Sequence, residues 1–234
     1  MCAVSVAAGV SPETGMTGIL AAGTLGLGPV GWTMGAVYLV AGAAALRWAM
    51  HRAGRRALGP ADRVTLVRAL LVGGVTALVA DGGHTWAVVA LAVPALLLDL
   101  VDGFVARRTG TESDFGARFD METDAFLILV LSVHAVQFLG PWVLVIGGMR
   151  YAFGAAAWVA PWLAAPLPPS RARKRVAALQ GAALAAAAPA LLPVWAATAL
   201  VAGALGALLW SFGRDVVRLW RSRECGTALT AHRE

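Results

Sequence analysis

An all-α, polytopic bundle of membrane-crossing helices is the fold class that this sequence predicts, and three observations predict it. Of 234 residues, 59% are hydrophobic and only 14% charged, whereas a soluble domain carries about 25% charged residues. Apolar runs of bilayer-spanning length, roughly 17–25 residues each, recur along the whole chain. The basic residues fall in alternate connections between those runs, the pattern of a chain that crosses a membrane repeatedly.

The runs place seven helices, near 29–49, 65–81, 85–106, 114–138, 141–165, 176–191 and 194–212. Residues 15–31 are rich in Gly and Ala and read as a loop or a further helix. They do not read as a cleaved signal peptide, because no basic segment precedes them. The expected organisation is an N-terminal extension over 1–60 with one membrane helix and a basic flank, a six-helix core over 61–215, and a basic tail over 216–234.

Of the 19 Lys and Arg residues, 17 lie in the stretches 47–63, 107–118, 171–175 and 214–233. The connections around Asp81, Gly140 and Pro193 hold none, and only Arg68 and Arg150 fall inside spans. Positive charge marks the cytoplasmic side, so the N-terminus is expected outside and the C-terminus inside. The net charge of +6 then anchors the chain to anionic headgroups. A nucleic-acid partner is not expected, because the charge is not gathered on a soluble domain. Cys2 and Cys225 stand at opposite ends and form neither a disulfide framework nor a zinc motif. Trp86, Trp142 and Trp195 lie near span ends, as an interfacial belt requires.

The stretch from Asp99 to Asp124 holds seven acids, and charge at membrane depth is by default functional. Asp99 lies ~20 Å along its inward-running helix, and Asp120 and Asp124 lie ~9 and ~15 Å along the next, outward-running one. The two helices therefore bring their acids to one depth. Asp99, Asp102, Gly103 and Ala106 fall within an arc of roughly 100°, and Gly116, Asp120 and Asp124 within about 80°. Four carboxylates at one place need cations between them, and an all-oxygen set suits hard divalent ions such as Mg2+ or Mn2+. Two such ions are able to clamp a diphosphate. Gly103 and Ala106 allow a ligand close to the backbone, and Arg107 is placed to neutralise a phosphate. The other acids read as bland: Asp114 as an N-cap or first-turn charge, Glu112 as solvated, and Glu122 as a local partner of Arg118. His84 and His134 read as interfacial.

The spacing Asp99-x2-Asp102-Gly103-x2-Ala106-Arg107-x8-Gly116-x3-Asp120-x3-Asp124 resembles the signature of the CDP-alcohol phosphotransferase family at every fixed position. The resemblance implies a six-helix membrane core, a homodimer, two divalent metals and a cytidine-diphosphate-linked donor, often CDP-diacylglycerol. Carried over by position, Asp99, Asp102, Asp120 and Asp124 are metal ligands, and Asp124 is also the base that deprotonates the acceptor hydroxyl. Gly103, Ala106 and Arg107 receive the cytidine and its phosphates, with Gly116 on the same donor side and Arg107 assisting catalysis. Upstream, "GPADRVTLVR" is similar to the start of the family's first core helix through Asp62 and Thr65, which become further donor contacts; Asp62 reads equally well as a helix cap. The family's proline stands one residue early here, at Pro60. Downstream, "RARKRVAALQ" is similar to the basic start of a later core helix and adds Lys174 as an acceptor contact.

The function implied is transfer of a substituted phosphate from a CDP-linked donor to an acceptor hydroxyl, releasing CMP, in phospholipid synthesis at the cytoplasmic face of a bacterial cell membrane. The alternative is a divalent-cation transporter or channel that uses the same carboxylates. The arginine-rich pocket of the family's inositol-phosphate branch is not recognisable. Arg150 lies ~14 Å from the outer surface with no local acid partner, and reads as an acceptor-binding residue or as a structural pair, with Glu122 as the candidate partner. The extra N-terminal helix has three readings: a cover for the core, a dimer contact or a partner site.

Overall fold

The computed structural model describes residues 27–83, 85–110, 113–164, 171–187 and 192–231. Among these residues seven α-helices follow one another: α1 Pro29–Arg52, α2 Pro60–Ala80, α3 Thr85–Thr109, α4 Asp114–Leu139, α5 Leu144–Val159, α6 Arg171–Ala186 and α7 Val194–Ala231. Short 3-10 turns, Pro141–Val143 and Pro161–Ala164, flank α5. No strand occurs among the described residues. Among the described residues, six helical stretches are long and apolar enough to cross a membrane, the last of them Val194–Trp220. The protein is an all-α, multi-pass membrane protein.

The starts of the helices follow from local chemistry. Proline opens α1 and α2, where its missing N–H is one the helix would leave unsatisfied anyway. At α2, the third-position Asp62 carboxylate accepts the Gly59 N–H at 2.9 Å. At α4, the Ser113 hydroxyl accepts the Gly116 N–H at 3.1 Å. Ser113 is therefore the cap, and Asp114 takes the alternative position, as a charge in the first turn that favours the helix dipole.

Helix bounds differ from expectation in several places: α2 and α6 each start five residues early, and the ends of α5 and α7 differ further. The run expected over 141–165 stops at Val159, because Pro161 cannot continue it and a 3-10 turn follows. The last helix was expected over 194–212 but continues to Ala231, through the basic residues that follow the apolar run. Arginine is a good helix former, so loss of hydrophobicity does not end the helix. The expected run 176–191 corresponds to α6, and Ala188–Leu191 lies outside the described residues, as do most of residues 15–31 and His84.

The chain divides into two compact units between Val130 and Leu131, inside α4. In the first unit, α2 packs against both α1 and α3. Its Val72, Val75 and Leu78 are buried, as are Val88, Ala92 and Ala95 of α3. The α1–α2 contact is close because small residues line it, the usual device between membrane helices. A Cβ on Gly31 would stand 2.9 Å from the Ala77 carbonyl oxygen. At the same end, Asp81 accepts the backbone N–H groups of Gly28 at 2.6 Å and Gly31 at 3.2 Å. The carboxylate that ends α2 thus satisfies the first donors of α1. Tyr38 of α1 also meets Phe126 of α4, ring centroids 5.2 Å apart. The N-terminal addition is thus part of the first unit.

In the second unit, α6 packs on α7, and Phe153 of α5 meets Phe212 of α7 edge to face at 5.4 Å. Trp86 and Trp195 are exposed, as an interfacial belt requires, while Trp142 donates its indole N–H to the Leu139 carbonyl at 2.6 Å. His134 stands five residues before the end of α4. It is buried, with its ring edge to face with Phe138 at 5.5 Å.

Replacing Gly31 by valine drives side-chain atoms into the Ala77 carbonyl, which cannot retreat without unwinding α2. Overpacking of this kind costs about 1–3 kcal/mol. The expected outcome is a lowered Tm of the detergent-solubilised protein, while alanine at Gly42, in the middle of α1 and with a Cβ that would meet nothing within 4 Å, does not lower Tm and, by helix propensity, raises it slightly.

Candidate active site

Three sequence-predicted acids come together. Asp99 from α3 and Asp120 and Asp124 from α4 each offer a carboxylate oxygen, and these oxygens lie within 4.8 Å of one another. The carboxylate side chains are 30–38% exposed, so each keeps an open side toward a ligand. Asp102 lies in α3 three residues beyond Asp99; its side chain, like those of Ala106, Arg107 and Lys174, lies outside the described residues.

At the centre of the three is a residue that was not among the predicted site positions. Arg68 of α2 is fully buried. Its Nη1 donates to Asp99 Oδ1 at 2.5 Å. Its Nη2 donates to Asp120 Oδ1 and, at 3.2 Å, to the Asp120 carbonyl, and lies 3.3 Å from Asp124 Oδ1. One guanidinium therefore joins three helices. The signal was present in the sequence: Arg68 follows Asp62 and Thr65 at three-residue steps, an arc of about 120° on one helix face. All three residues are buried.

The acids still exceed the cation. One guanidinium against three carboxylates leaves negative charge that divalent ions are suited to balance, and the donors are the hard oxygens that Mg2+ and Mn2+ prefer. The residues present fit such an ion.

The start of α2 forms a second cluster. Asp62 accepts from Arg55 Nη1 at 3.0 Å in addition to Gly59, and Arg55 Nη1 also donates to the Ser113 hydroxyl at 3.1 Å. The Arg55 guanidinium lies over the Phe115 ring, 5.4 Å from its centroid. A Cβ on Gly116 would stand 2.6 Å from Asp62 Oδ1. Of the residues expected at the donor, Asp62 thus caps α2 and pairs with Arg55, and Gly116 lets the α2 start approach α4. Thr65 donates its hydroxyl to the Ala61 carbonyl at 3.3 Å. Gly103 lies in α3, one residue past Asp102. Arg150 lies in α5, half-buried, in the second unit.

A sequence model of the CDP-alcohol phosphatidyltransferases matches residues 58–212, about two thirds of the chain. The protein belongs to this family. No curated protein and no solved structure gives a significant match. Membership makes this CDP-alcohol phosphatidyltransferase relative a transferase of substituted phosphate groups, acting on a CDP-alcohol within a membrane, and disfavours a cation pathway through the carboxylates.

The approach of Gly116 to Asp62 gives a separable prediction. Gly116→Ala forces the Asp62 carboxylate away from Arg55 and Gly59, at a cost of about 1–3 kcal/mol. Adding Asp62→Ala removes the clash, so the double variant loses less stability than the two single losses summed. Thermal unfolding of the four proteins of the cycle measures this.

Proposed function

We propose that this protein moves a phosphatidyl group from a CDP-linked lipid such as CDP-diacylglycerol to an acceptor hydroxyl and releases CMP, as a step of phospholipid synthesis. The observation that carries the reading is the convergence of Asp99, Asp120 and Asp124 in a chain of this family. The catalytic core is the stretch 61–215, with its reactive end at the cytoplasmic face. The alternation of basic loops supports that orientation, with the N-terminus outside and the C-terminus inside.

In this mechanism Asp99, Asp102, Asp120 and Asp124 hold two divalent cations, Mg2+ or Mn2+. Bound there, the ions supply positive charge to the donor diphosphate. Asp124 accepts the proton of the acceptor hydroxyl, whose oxygen forms a bond to the donor's β-phosphorus as the bond to the CMP oxygen breaks. Arg107 offsets the negative charge that collects on the departing CMP. Asp62, Thr65, Gly103, Ala106 and Gly116 frame the donor. Asp62 does so while capping α2, because a carboxylate has lone pairs for more than one donor. Two copies of the chain work as a homodimer, as in the family the motif resembles.

The decisive assay is CMP release by purified protein across donors and acceptors with Mg2+ or Mn2+. Asp99→Asn, Asp102→Asn and Asp120→Asn are each expected to abolish it while leaving folded protein in the membrane. Asp124→Asn is expected to lose roughly 10²–10⁴-fold in turnover at saturating donor. Near-normal turnover in two of the first three variants would refute the two-metal assignment.

Arg150 and Lys174 are proposed for the acceptor. The support for Arg150 is its place in an apolar helix, where an arginine must serve a polar cavity or a partner, and its planar fork suits phosphate. Arg150→Ala is expected to raise the Michaelis constant for a phosphorylated acceptor well above its effect on the donor constant, and Arg150→Lys to restore part of the loss. An unchanged acceptor constant in folded Arg150→Ala protein points instead to an uncharged acceptor.

A further inference from the structure

Arg68 is the deepest charge in α2 and is fully buried, yet its partners are the three carboxylates that face the open side of the site. Carboxylate oxygens within 4.8 Å of one another repel strongly in a medium of low polarity. Without a cation they would part, and α3 and α4 with them. Arg68 holds them from α2 through two separate nitrogens, one directed to Asp99 and the other to Asp120 and Asp124. A lysine could not reproduce this, because its ammonium is a single point while the guanidinium is a fixed fork.

We infer that Arg68 is a positioning residue that keeps the carboxylate cluster assembled before divalent ions bind, and releases part of its carboxylate contacts to them when they do. It is a resident counter-charge, strong enough to hold three helices in register and too weak to neutralise the acids. The site therefore keeps its affinity for divalent ions and needs no large rearrangement to receive them. The inference rests on the phosphotransferase reading only for the identity of those ions.

Thermal unfolding of the purified full chain in detergent, in EDTA and in MgCl2, tests it with wild type, Arg68→Met and Arg68→Lys. In EDTA, Arg68→Met should lose roughly 5–10 °C, since it leaves three crowded carboxylates without the buried cation that holds them. Mg2+ should return most of that loss and give wild type a smaller gain, with Arg68→Lys between the two. An equal loss in EDTA and in Mg2+ would reduce Arg68 to a packing contact and overturn the inference. Where Arg68→Met is not recovered folded, Arg68→Lys decides, and a Mg2+ gain no larger than that of wild type overturns it. CMP release measured on the same wild-type samples separates the two readings. Protein that shows the Arg68-dependent Mg2+ effect yet releases no CMP from any donor supports the role of Arg68 and removes the transfer reading.

Discussion

The ion-pair cluster between Arg68 and the three carboxylates sets the terms for the rest of the first unit. A buried guanidinium loses several kcal/mol of hydration, and only close, well-directed anions offset that. Asp99, Asp120 and Asp124 supply them from two different helices. The pairing thereby fixes how α3 and α4 sit against α2 at one depth, where apolar packing against lipid-like neighbours has little power to choose a register. The same contact leaves the carboxylates partly exposed and the cation enclosed.

Polar contacts at the two ends of α2 secure what the central cluster requires. At one end, Asp62 joins Gly59 and Arg55, and Arg55 reaches across to Ser113, the cap of α4. At the other, Asp81 takes the first donors of α1. Between them the helices meet through small residues, so backbones approach closely and dispersion contacts are dense. A helix pinned at both ends cannot rotate its polar face away from α3 and α4. The Asp62 carboxylate caps the helix start and also lies close to Gly116, on the same buried face of α2 that carries Arg68.

Membership of the CDP-alcohol phosphatidyltransferases gives this arrangement its chemical sense. A reaction that separates two phosphoryl groups inside a membrane needs a concentrated, fixed field of charge, because lipid supplies none. Carboxylates gathered around a cation are a way to hold that field ready in the folded chain.

The amino-acid sequence by itself determined the solvent, the helical class and the faces of the acids, because hydrophobic length and the helical period are local properties that any stretch carries with it. It also placed Asp99, Asp120 and Asp124 on stripes able to meet, and they do meet. It offered Arg68 as one of only two arginines inside spans that could pair with the acids, but not that Arg68 meets all three, because that contact joins positions 31 and 52 residues apart. Periodicity tells which way a residue points and is silent on which helix stands opposite. For the same reason only the tertiary structure decided that Asp81 serves α1, that Gly116 makes room for Asp62, and that His134 is buried. The length of α7 escaped for a different reason: the apolar run measures the membrane, while the helix ends only where its backbone hydrogen bonds do.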